Sequence, residues 1–142
     1  MQETIRSQLR RHSVAIISLV VALVSLSYNT WRNEVTEHNR NIRFAGFELI
    51  LKLGELQQTV FYRHYDRDPE RGNPRTGWTA VLVMGDLAKL MPEPVPHKVQ
   101  VLHKAWQEHW STLGKDEAGA QQINQAIDDV RKAVQVALAD LD

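Results

Sequence analysis

No cysteine occurs among the 142 residues. That absence excludes disulfides, zinc fingers, thiolate nucleophiles and covalently attached c-type haem together. Charge of either sign is not in excess, since 17 basic side chains balance 17 acidic ones. The chain has no Gly-rich phosphate loop, no nucleophile elbow around a serine and no His-Glu-x-x-His pair, so the commonest signatures of phosphate binding, hydrolysis and zinc proteolysis are missing. No glutamate stands three residues before a histidine, the spacing that carries di-iron sites in helical bundles. A strand period of 2 never lasts long enough to specify a sheet.

What is present first is one uncharged run. Residues 13–31 carry no formal charge, with Arg10, Arg11 and His12 before them and Arg32 after. At 1.5 Å per residue a helix of that length spans roughly 28 Å, close to the hydrocarbon thickness of a bilayer. A cleaved signal peptide would use Arg6, Arg10 and Arg11 as its basic region and residues 14–26 as its apolar one. Its candidate cut, at Val24-Ser25-Leu26-Ser27, is followed by bulky Tyr28 and Trp31, which suits cleavage poorly. A buried soluble helix would accommodate Ser18, Ser25, Ser27, Asn29 and Thr30. A membrane anchor accounts for the aromatics at one boundary and the abrupt return of charge, and it is the reading adopted.

Within the span, Ala15, Ser18, Ala22 and Ser25 follow 3-4-3 spacing and Asn29 extends it by four. They share one helix face, where small side chains let a second helix approach closely, although such residues are also tolerated in any single span. The flanks tie for orientation, with Arg6, Arg10 and Arg11 on one side and Arg32, Arg40 and Arg43 on the other. The terminal amine and the adjacent Arg10-Arg11 pair favour a cytoplasmic N-terminus. The expectation is a plasma (inner) membrane protein with an extracytoplasmic, periplasmic C-terminal domain.

The expected organisation is a basic tail (1–12), a transmembrane helix (13–31), a polar juxtamembrane connector (32–41) and a helical bundle (42–142). The tail is net +2, and residues 32–142 carry 14 basic and 16 acidic side chains, net −2. A mildly acidic domain without a basic stripe argues against a nucleic-acid partner.

Beyond the span the pattern is helical. Trp31, Val35, His38, Ile42, Ala45, Leu49, Leu53, Leu56 and Val60 follow 4-3-4-3-4-4-3-4 spacing, one stripe leading toward Tyr65. Phe44, Phe47 and Leu51 form a second apolar face that predicts the start of packing near Phe44. Residues 66–77 read as a loop. A short helix over 78–91 follows, apolar nearly all round, with Thr76 as its expected cap. Pro92, Pro94 and Pro96 set an elbow. The next helix is expected over 97–113 with Gly114 as C-cap, and the last over 116–141 with Ile123, Ile127, Val130, Val134, Ala137 and Leu141 on its stripe. The fold class is therefore all-α: a single N-terminal transmembrane helix continuing into an antiparallel three- to four-helix bundle.

Few side chains offer chemistry. His97, His103 and His109 recur every six residues, which places them on different helix faces, so they read as ordinary structural histidines. The segment 62–68 clusters His64, Asp66 and Asp68, but Arg63, Arg67, Arg71 and Arg75 interleave and oppose a cation. These arginines are instead a candidate contact for an anion or acidic partner, against the simpler account of local ion pairs at a helix end. Trp78, Trp106 and Trp110 are candidate pocket linings, against the simpler account of core filling. Gly46 and Gly54 lie inside a helix, where each costs about 1 kcal/mol relative to Ala. Close approach of another helix would offset that cost, within the bundle or across a dimer.

No motif identifies a family. The expected architecture alone is similar to the extracytoplasmic helical bundles of bacterial chemoreceptors and sensor kinases. Those bundles return through a second membrane helix to an output domain, whereas this sequence ends at Leu141-Asp142 with one span. That departure argues against a stand-alone receptor role. The expected function is that of a non-enzymatic, cofactor-free, single-pass membrane protein acting by protein–protein interaction, as subunit, adaptor or homo-oligomer. The alternative is a sensor that binds a small ligand between Trp-lined helices.

Overall fold

A computed structural model describes residues 12–141, so residues 1–11, most of the basic tail, and Asp142 lie outside the described part. The described chain is helical, with no strand. Its elements are α1 (Ser13–His64), α2 (Pro74–Ala88), α3 (Val95–His109) and α4 (Glu117–Ala139). Two compact units divide it, Met1–His38 and Asn39–Asp142.

Among the described residues, the first unit is the N-terminal part of α1. Its helix is long and apolar enough to cross a membrane, and none of the apolar stretch is buried. Leu19, Leu23 and Leu26 each leave more than half their surface exposed, which in water would oppose folding. Ala15, Ser18, Ala22 and Ser25 are likewise exposed on this helix. Thr30 Oγ1 donates back to the Leu26 carbonyl at 3.0 Å, satisfying its hydroxyl within the helix.

The second unit is an antiparallel bundle built on the expected stripes. Along α1, Ile42, Ala45, Leu49, Leu53, Leu56 and Val60 are buried. Along α4, Ile123, Ile127, Val130, Val134 and Ala137 face them. The pairing direction is fixed by named contacts. Arg43 donates to the Leu141 carbonyl at 3.2 Å, Arg131 donates to Gln57 at 2.6 Å, and His64 meets Glu117 at 2.6 Å. Position thus rises along α1 as it falls along α4. Between α2 and α3, Trp78 stacks edge-on to His103 at 5.6 Å and Gly77 lies against Trp106. Between α3 and α4, Lys98 pairs with Asp129 at 3.2 Å and His109 Nε2 lies 2.9 Å from Gln122 Oε1. Each neighbouring pair is antiparallel.

Several boundaries differ from the sequence expectation, each for a local reason. α2 starts at Pro74 rather than Trp78, because Asn73 Oδ1 accepts from the Arg75 N–H and caps the helix. Thr76 is thus inside the first turn, and proline at N1 loses no intrahelical bond. α3 starts at Val95 rather than 97, since Pro96 within the first turn is equally tolerated. It stops at His109, and turns follow through Lys115 (Thr112 N–H to His109 O, Lys115 N–H to Thr112 O). Gly114 sits in these turns at φ +102°, so it serves the turn rather than the helix cap. α4 runs from Glu117 to Ala139, one and two residues inside its expected limits.

Burial also corrects the expected start of packing. Trp31, Val35 and His38 are exposed, and the buried stripe begins at Ile42 rather than at Phe44. Phe44, Phe47 and Leu51 are 60–61% exposed and take no part in the core. Leu82 and Leu90 are more than half exposed, so the segment over 78–91 has one buried face only.

Candidate functional site

The four arginines, Arg63 in the last turn of α1 and Arg67, Arg71 and Arg75 beyond it, are not all brought together. Arg71 is committed locally, its Nε 2.7 Å from Asp68 Oδ2 and its guanidinium 4.4 Å above the Tyr62 ring. The hydrogen bond from Arg71 holds the Asp68 carboxyl below its ordinary value, helped by the Arg71 and Glu70 backbone N–H groups. Arg75 lies exposed in the first turn of α2. Arg63 and Arg67 do converge, and with Lys115, Ser111, Leu113 and Gly114 they line a recess of about 220 Å³. Arg63 Nε donates to the Leu113 carbonyl at 3.3 Å, which anchors one cation at the rim. Three cations around one recess suit a carboxylate or other anion. Lys115 escapes a sequence reading because it lies 52 residues from Arg63 and no local spacing joins them.

Nearby, His64 is tied to structure. Its Nε2 lies 2.6 Å from Glu117 Oε2, and its side chain is 8% exposed. That hydrogen bond, followed by one from Gln121, holds the Glu117 carboxyl below its ordinary value. His64, Asp66 and Asp68 therefore do not converge on a cation, and among the described residues no cluster of three His, Asp or Glu side chains has metal-binding geometry.

Of the three tryptophans, Trp106 belongs to the core, and Trp78 and Trp110 pack against it half-buried. Trp106 is fully buried, and its ring occupies the position that a Cβ on Gly77 would need. Trp78 and Trp110 meet edge to face at 6.3 Å, and Trp78 also contacts His103. None of these rings lines the basic recess.

The larger surface lies on the bundle part of α1 and on Tyr65 in the turn that follows it. Phe44, Phe47, Leu51, Phe61 and Tyr65 are each 51–61% exposed, and Phe61 contacts Tyr65 at 5.7 Å between ring centres. Gly54 and Gln58 complete the row. Counting along the chain, the positions 44, 47, 51, 54, 58, 61 and 65 step by 3 and 4 in strict alternation. That is the spacing of a coiled-coil seam, distinct from the buried stripe, whose steps average closer to 3.6. Phe61 and Tyr65 extend the row beyond Phe44, Phe47 and Leu51, and the strict heptad is the signal that joins them. Polar Gln58 and Gly54 interrupt it and hide its continuity.

No protein-family model, curated protein or solved structure matches the chain.

Proposed function

We propose that this protein is a single-pass membrane protein whose helical bundle works by protein–protein interaction, as part of a membrane assembly. The observation that carries the reading is the exposed aromatic row on α1. Five large apolar side chains in one row form a patch at the upper end of what a monomer leaves bare, a size that commonly marks a contact site, and aromatic enrichment is characteristic of interface cores. The uncharged, unburied helix of residues 13–31 supports the anchor. Between them, residues 32–43 carry Arg32, Glu34, Glu37, Arg40 and Arg43, a charged stretch suited to the headgroup region rather than the bilayer interior. The Arg10-Arg11 pair favours a cytoplasmic N-terminus in the plasma (inner) membrane, with the bundle on the periplasmic side.

The test is extraction followed by sizing. The full chain should stay in the membrane pellet through alkaline carbonate and, in mild detergent, run as a particle larger than one copy. Release by carbonate would overturn the anchor, and a lone monomer at every concentration would overturn the assembly. A phosphatase fused after Asp142 should be active outside the cytoplasm. A stable but inactive fusion would reverse the orientation.

A further inference from the structure

We infer that the exposed row on α1 is the seam of a parallel, in-register homodimer, closed by the same row of a second copy. The inference rests on the membrane-assembly reading above and names the partner for that surface.

Area is the first argument. A whole aromatic side chain buries about 150–250 Å², so five side chains a little more than half exposed present roughly 500–600 Å² per copy. Two such faces would remove roughly 1,000–1,200 Å² from water, which reaches the lower range of specific interfaces. Glu48 and Glu55 border the row on one side, and Lys52 pairs with Glu55 at 2.7 Å. A charged edge beside an apolar centre is the anatomy of a protein contact.

Gly54 is the second argument. The two glycines inside the bundle part of α1 have opposite surroundings. A Cβ on Gly46 would come within 2.8 Å of Leu138 Cδ2, so packing against α4 accounts for it. A Cβ on Gly54 would meet nothing within 4 Å. Among the described residues no contact offsets the helix cost of that glycine, and it stands midway along the exposed row. Its missing side chain lets a second backbone come close there.

Gln58 chooses the partner. An amide in an otherwise apolar seam needs both a donor and an acceptor opposite it. Its own counterpart supplies both when two copies lie parallel and in register, and single polar residues at such positions set register and orientation in coiled coils. Chains inserted with the same topology in one membrane also run parallel. The partner is thus a second copy rather than an unrelated helix.

The natural absence of cysteine makes the test direct. Single substitutions Phe47→Cys, Leu51→Cys and Phe61→Cys would be made in the full chain, with Leu82→Cys on α2 and Val136→Cys on α4 as controls. All five positions are exposed, so the bundle should fold unchanged. Membrane vesicles would be oxidised and the chain resolved without reductant. The expected result is a covalent dimer at positions 47, 51 and 61, several-fold above either control. Adding Gln58→Glu to Leu51→Cys should cut that dimer several-fold, because two carboxylates would then share the seam. Equal yields at the controls, or no dimer while the chain stays in the carbonate-resistant pellet, would overturn the dimer and leave the anchor standing. Preferential linkage of Phe47→Cys on one copy to Phe61→Cys on another would overturn the parallel arrangement. A crosslink to a different polypeptide would overturn the second copy as occupant. Loss of the chain from the pellet would instead overturn the membrane reading.

Discussion

Gly77 and Gly85 lie on α2 with the same helix-propensity penalty and opposite surroundings. A methyl on Gly77 would run into the Trp106 ring, which is fully buried and has no room to withdraw. A methyl on Gly85 would meet nothing within 4 Å. Gly77→Ala should therefore destabilise the bundle by about 1–3 kcal/mol, the usual cost of overpacking. Gly85→Ala should stabilise it by up to about 1 kcal/mol. Thermal unfolding of the two variants side by side checks the pair, and equal shifts would show that Trp106 yields. Glu117 makes a second residue-scale case. Its carboxyl is held below the ordinary value of 4.5, first by the hydrogen bond with His64 and then by Gln121. A carboxylate whose value is depressed by folding stabilises the native state above the unfolded-state range, and that contribution disappears as pH falls through the folded value. The melting temperature should thus decline on acidification below the ordinary glutamate range. Glu117→Gln should make that decline shallower, as read from melts at stepped pH. Asp129, held low by Gln125 and then Lys98, contributes in the same direction and remains in the variant, so the slope should shrink rather than vanish.

At the scale of elements, α1 carries two apolar rows that differ in what covers them. Leu53 is fully buried and Leu51, two positions away, is 60% exposed. Leu53→Ala should cost the bundle about 2–5 kcal/mol, whereas Leu51→Ala should change unfolding by less than about 0.5 kcal/mol while weakening self-association. Unfolding and sizing measured on both variants separate the rows. The buried row was legible in the sequence because Ile42 to Val60 repeat near 3.6, and α4 was legible for the same reason from Ile123 to Ala137. The exposed row was visible only at Phe44, Phe47 and Leu51, and apolar character alone assigned it to the core; periodicity identifies a face but not its cover. Helix ends were less legible. Asn73 captured the cap expected of Thr76 because Pro74 is itself an acceptable first helical residue, and the same tolerance at Pro96 moved the start of α3 forward. The basic recess was half legible. Arg63 and Arg67 were marked by local charge density, but Lys115 joins them through the tertiary meeting of α1 with the turn after α3.

For the whole molecule, the two units have separate sources of stability, and that separation gives a discriminating prediction. The bundle's core draws on residues from Ile42 onward, while the apolar side chains of residues 14–26 are all exposed among the described residues. Nine Val, Ile and Leu residues occur in that stretch. At about 0.3–0.6 kcal/mol each in favour of insertion, they supply roughly 3–5 kcal/mol. An arginine near the helix centre opposes insertion by about 2.5–3.5 kcal/mol, so the double substitution Val20→Arg with Val24→Arg should reverse the balance. Carbonate extraction should then find the chain in the soluble fraction, with the thermal midpoint of the bundle unchanged. A helix packed in a soluble core predicts the opposite pattern, a lowered midpoint with no change in fractionation. A cleaved signal predicts a mature wild-type chain shorter than the encoded one, which mass determination of the membrane fraction would reveal. Retention of the double variant in the pellet would mean that something other than residues 13–31 holds the protein at the membrane, and the aromatic row on α1 would be the next surface to substitute.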